Sequence, residues 1–231
     1  MTRILIVLSA ATHWTRADGS LYESGVWAQE FVDLDEAFLQ AGFEVELASP
    51  RGTTPTIDHH SLDPAVVGEA VAGQMRDYLA RHAARLQKPM VLGNVDVSRY
   101  DAVVVPGGHG PVEDLHKDPD MGRVLVEADR QSRLIAAVCH GPAAFLAARD
   151  EQGRWPFAGR RMTSFTDEEE IAFGTAENAP WLLADRLRKA GAVFEQGPNW
   201  AVFTVRDGHL LTGQNPGSSA QLAREVVAAL A

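Results

Sequence analysis

The chain holds a single cysteine among its 231 residues, and its neighbours are those of a nucleophile. The segment reads Leu134-Ile135-Ala136-Ala137-Val138-Cys139-His140-Gly141-Pro142-Ala143-Ala144-Phe145-Leu146. An apolar strand pattern runs into a helical one with Cys139 at the junction. This is the small-x-nucleophile-x-small layout of a nucleophile elbow, in which Ala137 and Gly141 let the chain turn sharply. Pro142 suits the first helical turn, where its missing N–H leaves nothing unpaired. A helix N-terminus beside Cys139 is expected to favour the thiolate. A lone cysteine is more often a small buried apolar residue. The elbow and the adjacent His140 turn the expectation toward a reactive thiol, partly accessible and of increased acidity. Its chemistry is attack of sulfur on a carbonyl, with a histidine moving the proton. His140 follows Cys139 directly, so its ring reaches the sulfur only if another group turns it, and a carboxylate on one ring nitrogen would do so.

A second loop, Pro106-Gly107-Gly108-His109-Gly110, also follows an apolar run. Its glycines could cradle a phosphate, but the Lys-Ser/Thr pair and the GxGxxG spacing are missing. A backbone N–H from this loop, joined by that of His140, fits an oxyanion hole better. A plain tight turn at a strand end would look the same. Two acidic sites stand out: Glu30, among Trp27, Phe31 and Leu34, and the run Asp167-Glu168-Glu169-Glu170. Taken alone, the first reads as a solvent-facing helix residue and the second as first-turn acids favoured by the helix dipole. The eight histidines show no HExxH spacing. Asp58-His59-His60 with Asp63 lacks the defined surroundings of a metal site, so no metal is expected. Trp155, Trp181 and Trp200 read as packing or interface aromatics.

Strands and helices must alternate to position these loops. Ile4 to Leu8 is an unbroken apolar run, the mark of a strand buried on both faces. Val26 to Gln40 has helical spacing, with Gly42 placed as its C-terminal cap. Phe43 to Ala48, Ala102 to Val105 and Leu134 to Val138 read as further strands, and Arg161 to Ser164 as a fifth. Val202 to Val205 and His209 to Thr212 flank Asp207-Gly208, a hairpin signal. Ser219 to Leu230 forms a closing helix. The alternation predicts an α/β fold: a doubly wound, mostly parallel sheet with helices on both faces. Residues 51 to 98, helical from about Ala65 to Gln87, break the rhythm and read as an insertion on a single domain spanning 1 to 231. No repeat or flexible linker interrupts it.

Composition narrows the partners. The chain is 45% apolar and 23% charged, which is ordinary for a globular protein. A formal charge of −10 disfavours nucleic acid and acidic membrane surfaces. No apolar run approaches the ~18 residues of a spanning helix. The N-terminus reads as a first strand rather than a signal peptide, and a single cysteine excludes an internal disulfide. Cytoplasmic residence is the default expectation.

Three motifs together carry a family resemblance: Cys139-His140 at an elbow, Gly107-Gly108-His109-Gly110, and Thr212-Gly213-Gln214-Asn215-Pro216-Gly217-Ser218. From first strand to closing helix the chain resembles the DJ-1/PfpI superfamily, of the flavodoxin-like, class I glutamine amidotransferase-like fold. The Gly25-Val26-Trp27-Ala28-Gln29-Glu30 segment, the 51–98 insertion, and Ser164-Phe165-Thr166-Asp167 leading to Glu170 are most similar to the Hsp31 branch. The resemblance implies that Cys139 is the nucleophile and His140 its partner base. Glu30 would be the acid near the sulfur and Glu170 the orienting acid, with Asp167 its main competitor. Gly108 and His140 would be the oxyanion donors, with Gly107 and His109 beside them. It implies a glutathione-independent glyoxalase turning methylglyoxal into lactate, or a protein deglycase, with no cofactor. A stress-responsive holding chaperone for unfolded clients is the alternative from another class, and a cysteine peptidase or amidase a further enzymatic one. Amidotransferase chemistry is disfavoured, since the chain has no room for an ammonia-accepting synthase domain. A homodimer is expected.

Overall fold

A computed structural model describes all of residues 1–231. Its strands are β1 (Arg3–Val7), β2 (His13–Thr15), β3 (Leu21–Glu23), β4 (Glu44–Ser49), β5 (Met90–Val91), β6 (Ala102–Val105), β7 (Leu134–Val138), β8 (Arg161–Met162), β9 (Val193–Phe194), β10 (Thr204–Asp207) and β11 (Leu210–Gly213). Its helices are α1 (Ala28–Gln40), α2 (Pro64–Val67), α3 (Glu69–Arg81), α4 (Ala83–Leu86), α5 (Gly110–Glu113), α6 (Pro119–Arg130), α7 (Asp167–Phe173), α8 (Leu183–Ala190) and α9 (Ser219–Leu230).

Seven strands form the central sheet in the order β10-β11-β7-β6-β1-β4-β5. Every neighbouring pair is parallel except β10–β11, a hairpin whose turn is Gly208-His209, one residue later than the expected Asp207-Gly208, because Asp207 still pairs with Leu210. Strand alternation assigns side chains to two faces. Ile4, Ile6, Ala102, Val104, Ala136 and Val138 join one core of 24 buried residues, covered by α1 and α9. Leu5, Val7, Val103, Val105, Ile135 and Ala137 join another of 28, on the α6 side. Two cores of similar size require a sheet covered on both faces, so the doubly wound expectation holds. The order reverses at β1, with β4 on one side and β6 on the other. Such a switch point opens a crevice at the carboxyl ends of the strands. No helix is long and apolar enough to cross a membrane.

Two sequence expectations change. The strand expected at Arg161 to Ser164 shortens to β8, which pairs with β9 in a separate two-stranded sheet rather than the central one. Residues 163 to 166 leave it because they bend toward the elbow: Phe165 N–H donates to the Cys139 carbonyl at 2.8 Å. The 51–98 segment also supplies the sheet edge, since β5 pairs with β4. Its helical part is three pieces rather than one, broken at Gly68 (φ +86) and His82. A bidentate ion pair fastens it down. Arg85 donates to both oxygens of fully buried Asp35 on α1 (2.7 and 2.9 Å), and the Tyr78 hydroxyl donates to the same carboxylate at 2.7 Å.

Candidate active site

Cys139 occupies the turn after β7 with φ +58, a left-handed backbone that a non-glycine residue adopts only under constraint. Two hydrogen bonds impose it. Cys139 N–H donates to the Gly213 carbonyl at 2.9 Å, and its own carbonyl accepts from Phe165. Gly141 lets the elbow approach β6, because a Cβ there would lie 2.2 Å from the Val105 carbonyl oxygen. The following Gly141–Ala147 stretch is a 3₁₀ helix, not the α-helix expected. The supposed dipole at the cysteine is correspondingly short.

Four side chains converge here. Cys139 Sγ lies 3.3 Å from His140 Nδ1, and His140 Nε2 lies 2.6 Å from Glu170 Oε2. The carboxylate thus turns the ring of the adjacent residue onto the sulfur. Glu30 comes from the first turn of α1 and is fully buried. Its Oε2 accepts from Gly107 N–H at 2.6 Å. Its Oε1 is buried without a hydrogen-bond partner, while the Cys139 thiol lies near enough to act on the carboxyl. Gly108 directs its N–H toward the sulfur. Only glycine fits there: φ is +83, and a Cβ would meet the Gly25 carbonyl oxygen at 2.2 Å.

Burial sets the electrostatics. It pushes the Glu30 carboxyl up to about 8, against the Gly107 hydrogen bond, so Glu30 holds its proton at neutral pH. Burial also pushes the Cys139 thiol up, and the Glu30 charge would push it further. The expected increase in acidity, and the expected partial exposure, are therefore both corrected: Cys139 is 3% exposed and resists ionisation. Burial pushes His140 down, toward the neutral imidazole. For Glu170 burial acts upward, but His140 and His109 outweigh it and hold the carboxyl well below its usual range. The consistent state has a neutral His140 and an ionised Glu170. An ionised carboxylate only accepts, so Nε2 carries the hydrogen and Nδ1 presents a lone pair to the thiol.

Several sequence expectations move. Gly107 is not an oxyanion donor, because its N–H is taken by Glu30. His109 lines the cavity, but its Nε2 lies 2.8 Å from Glu170 Oε1, so one carboxylate serves two imidazoles. The Thr175 hydroxyl also donates to that oxygen. Nothing in the spacing of His109 signalled this contact. Asp167 lies outside the site and pairs with Arg188 at 2.8 Å. Nor does it cap α7: Thr166 does, in a capping box with Glu169. Trp155 and Trp181 are packing residues on the α6-side core, whereas Trp200 stands half-exposed at the cavity lip.

His109, His140 and Glu170 offer donor atoms within 4.8 Å of one another, a set that could take a divalent ion, although their mutual hydrogen bonds already satisfy them. Asp58, His59 and His60 are similarly close. There Asp58 already accepts from the Ser24 hydroxyl and the His60 N–H, and Asp63 is turned away to cap α2.

A strained cysteine at the end of a central parallel strand, with a histidine beside it and a carboxylate behind, defines the class I glutamine amidotransferase-like α/β proteins. Within that class the DJ-1/PfpI family model matches residues 21–229, and the chain belongs to that family. Glyoxalase 3 of Candida albicans is 28% identical, over 99% of this chain and 98% of its own. The crystal structure of glyoxalase III from Candida albicans matches with a TM-score of 0.85 at 28% identity, covering 99% of this chain and 97% of that one. Glutathione-independent glyoxalase HSP31 of Saccharomyces cerevisiae is 29% identical over 99% and 98% of the two chains. Protein/nucleic acid deglycase HchA of Pseudomonas aeruginosa is 28% identical over 96% of this chain and 78% of its own. These relatives put the chain in the Hsp31-like branch.

Proposed function

We propose that the chain is a cysteine-dependent, glutathione-independent glyoxalase, converting a 2-oxoaldehyde and water into a 2-hydroxy acid. The observation that carries this is the thiol of Cys139 on the floor of a cavity of about 400 Å³, between the Nδ1 lone pair of His140 and the carboxyl of Glu30. The thiol proton passes to His140 Nδ1 as sulfur attacks the aldehyde carbon, giving a hemithioacetal. The new imidazolium is balanced by Glu170. Removing the hydrogen of that carbon gives an enediol, and protonating the neighbouring carbon gives a thioester. Water then releases the 2-hydroxy acid and restores the thiol. Gly108 N–H is the donor for the oxygen that gains charge. Glu30, protonated at neutral pH, donates to the sulfur as it ionises, which offsets the burial that opposes a thiolate. Glycated side chains are the second substrate class, supported by the Pseudomonas relative's name.

The test is 2-hydroxy acid production from methylglyoxal without glutathione, by wild type and Cys139→Ala. Turnover abolished by the substitution is expected. Aggregation suppression in both forms with no turnover in either would favour the holding chaperone. Hydrolysis of peptide amides in place of aldehyde turnover would favour the peptidase.

A further inference from the structure

The cavity over Cys139 is walled by Trp27, Phe165, Phe173 and Trp200, with Val66 and Val67 from α2. No lysine, arginine or carboxylate lines it, so an anionic substrate would meet no countercharge. Its polar lining is confined to backbone and to Gln29, His109, His140 and Asn215. Methylglyoxal would fill only a small part of such a volume, which is in the range of sites for larger ligands. The rings form a box. Trp200 meets Phe165 nearly edge-on at 5.6 Å and Phe173 at 6.4 Å, and Phe173 meets Trp27 edge-on at 6.2 Å. Offset and edge-to-face contacts of this kind suit a flat apolar group.

Trp200 is the outer wall, and its position is imposed. It is 48% exposed, yet its φ is +64, an unusual backbone for a bulky side chain. Its N–H donates to Glu169 Oε1 at 2.7 Å. The same oxygen accepts from Gln214 Nε2 at 3.0 Å and Asn215 Nδ2 at 2.8 Å, while Oε2 accepts from Thr166. Glu169 is fully buried, has no cation among its hydrogen-bond partners and bonds to neither Cys139 nor His140, although its charge reaches both and pushes each of them up. Its bonds instead tie α7 to two loops at the cavity wall, those of Trp200 and of Asn215. Strained residues held by their surroundings are a mark of functional sites.

We infer that the cavity selects 2-oxoaldehydes whose ketone carbon carries a flat apolar group, an aryl group above all, and that Trp200, positioned by Glu169, makes the selection. The inference rests on the glyoxalase reading. Its test measures 2-hydroxy acid formation from phenylglyoxal and methylglyoxal, without glutathione, in wild type, Trp200→Ala, Trp200→Phe, Glu169→Gln and Cys139→Ala. Wild type is expected to show a kcat/KM for phenylglyoxal at least ~10-fold above that for methylglyoxal, the scale on which an apolar pocket discriminates. Trp200→Ala should reduce that ratio ~10-fold, mainly through the KM for phenylglyoxal, and Trp200→Phe should restore most of it. Glu169→Gln should raise the KM for phenylglyoxal while leaving that for methylglyoxal nearly unchanged, a split between substrates that neither a general loss of fold nor a changed charge at Cys139 would produce. If that variant does not fold, the two Trp200 variants decide. Cys139-dependent turnover with no phenylglyoxal preference, or a preference indifferent to Trp200→Ala, overturns the selection and leaves the glyoxalase reading standing. No turnover of either aldehyde overturns both.

Discussion

Glu30 buried beside a thiol gives the fold a pH dependence that most carboxylates do not. Its folded pKa of about 8 stands above the ordinary 4.5, so the folded chain binds this proton more tightly than the unfolded one. The contribution is fully present below pH 4.5 and is lost as pH rises to about 8, at ~1.4 kcal/mol per pH unit within that window. Glu30→Gln keeps the shape and removes the titration. Its stability relative to wild type, measured by urea unfolding, should rise by on the order of 2–4 kcal/mol between pH 5 and pH 8, while its turnover falls. A pH-independent difference would put Glu30 in its ionised form throughout. Glu170 and Asp167 separate just as sharply. Glu170→Gln should lower kcat by at least ~10²-fold, the lower end of acid–base contributions. Asp167→Ala removes a partly exposed ion pair with Arg188 and the acceptor for the Asp185 N–H in the first turn of α8, so it should cost on the order of 1 kcal/mol and leave kcat unchanged. Cys139 and His140 were legible in sequence through the elbow, whereas Glu30 and Glu170 entered only through the family resemblance, since alone they read as a solvent-facing and a first-turn acid. The second imidazole on Glu170 and the clamp at Glu169 were not legible at all. Both depend on where side chains from separate loops point after folding, which no local pattern encodes.

At the scale of elements, the strand ends carry the site and the 51–98 segment closes one side of it. The core strands were readable because buried parallel strands leave continuous β-branched runs, as in Ala102–Val105. β5 and β8, two residues each, carry no such run and gain their pairing from tertiary contacts. The joint between the 51–98 segment and the sheet layer was equally silent, since Asp35 and Arg85 lie fifty positions apart and pair only in the fold. That joint is testable. Asp35→Ala leaves the Arg85 guanidinium and the Tyr78 hydroxyl without their shared acceptor; because Arg85 is only half-buried, the cost should fall below the ~3–5 kcal/mol of a fully buried pair, at about 2–3 kcal/mol. Because α2 brings Val66 and Val67 to the cavity from the same segment, loosening it should also raise KM more than it lowers kcat. Thermal unfolding and steady-state kinetics on one preparation check both. An unchanged melting temperature would mean the segment is held by its apolar contacts alone.

At the scale of the whole molecule, the formal charge of −10 and the proposed pairing of two copies oppose each other. Two such bodies repel at long range, whereas a twofold contact is held by short-range burial. Trp155 and Trp181 are partly buried against the core and Trp200 is committed to the cavity lip, so none of the three offers a wholly free apolar face. The 51–98 segment offers the better candidate, where β5 forms an unpaired sheet edge and Val91 is exposed. Salt discriminates the two forces. The screening length is ~8 Å at 0.15 M ionic strength and ~30 Å at 0.01 M, so repulsion between copies fades across that range while apolar contact persists. Sedimentation at micromolar concentration should therefore show a dimer that dissociates more readily at 0.01 M salt than at 0.3 M. Val91→Glu should weaken it at both. A 25.0 kDa species at 0.3 M salt and micromolar concentration would make the chain a monomer, since an interface of ~1,600 Å² should hold there. A dimer that dissociates as salt rises would instead place complementary charges, not an apolar edge, at the contact.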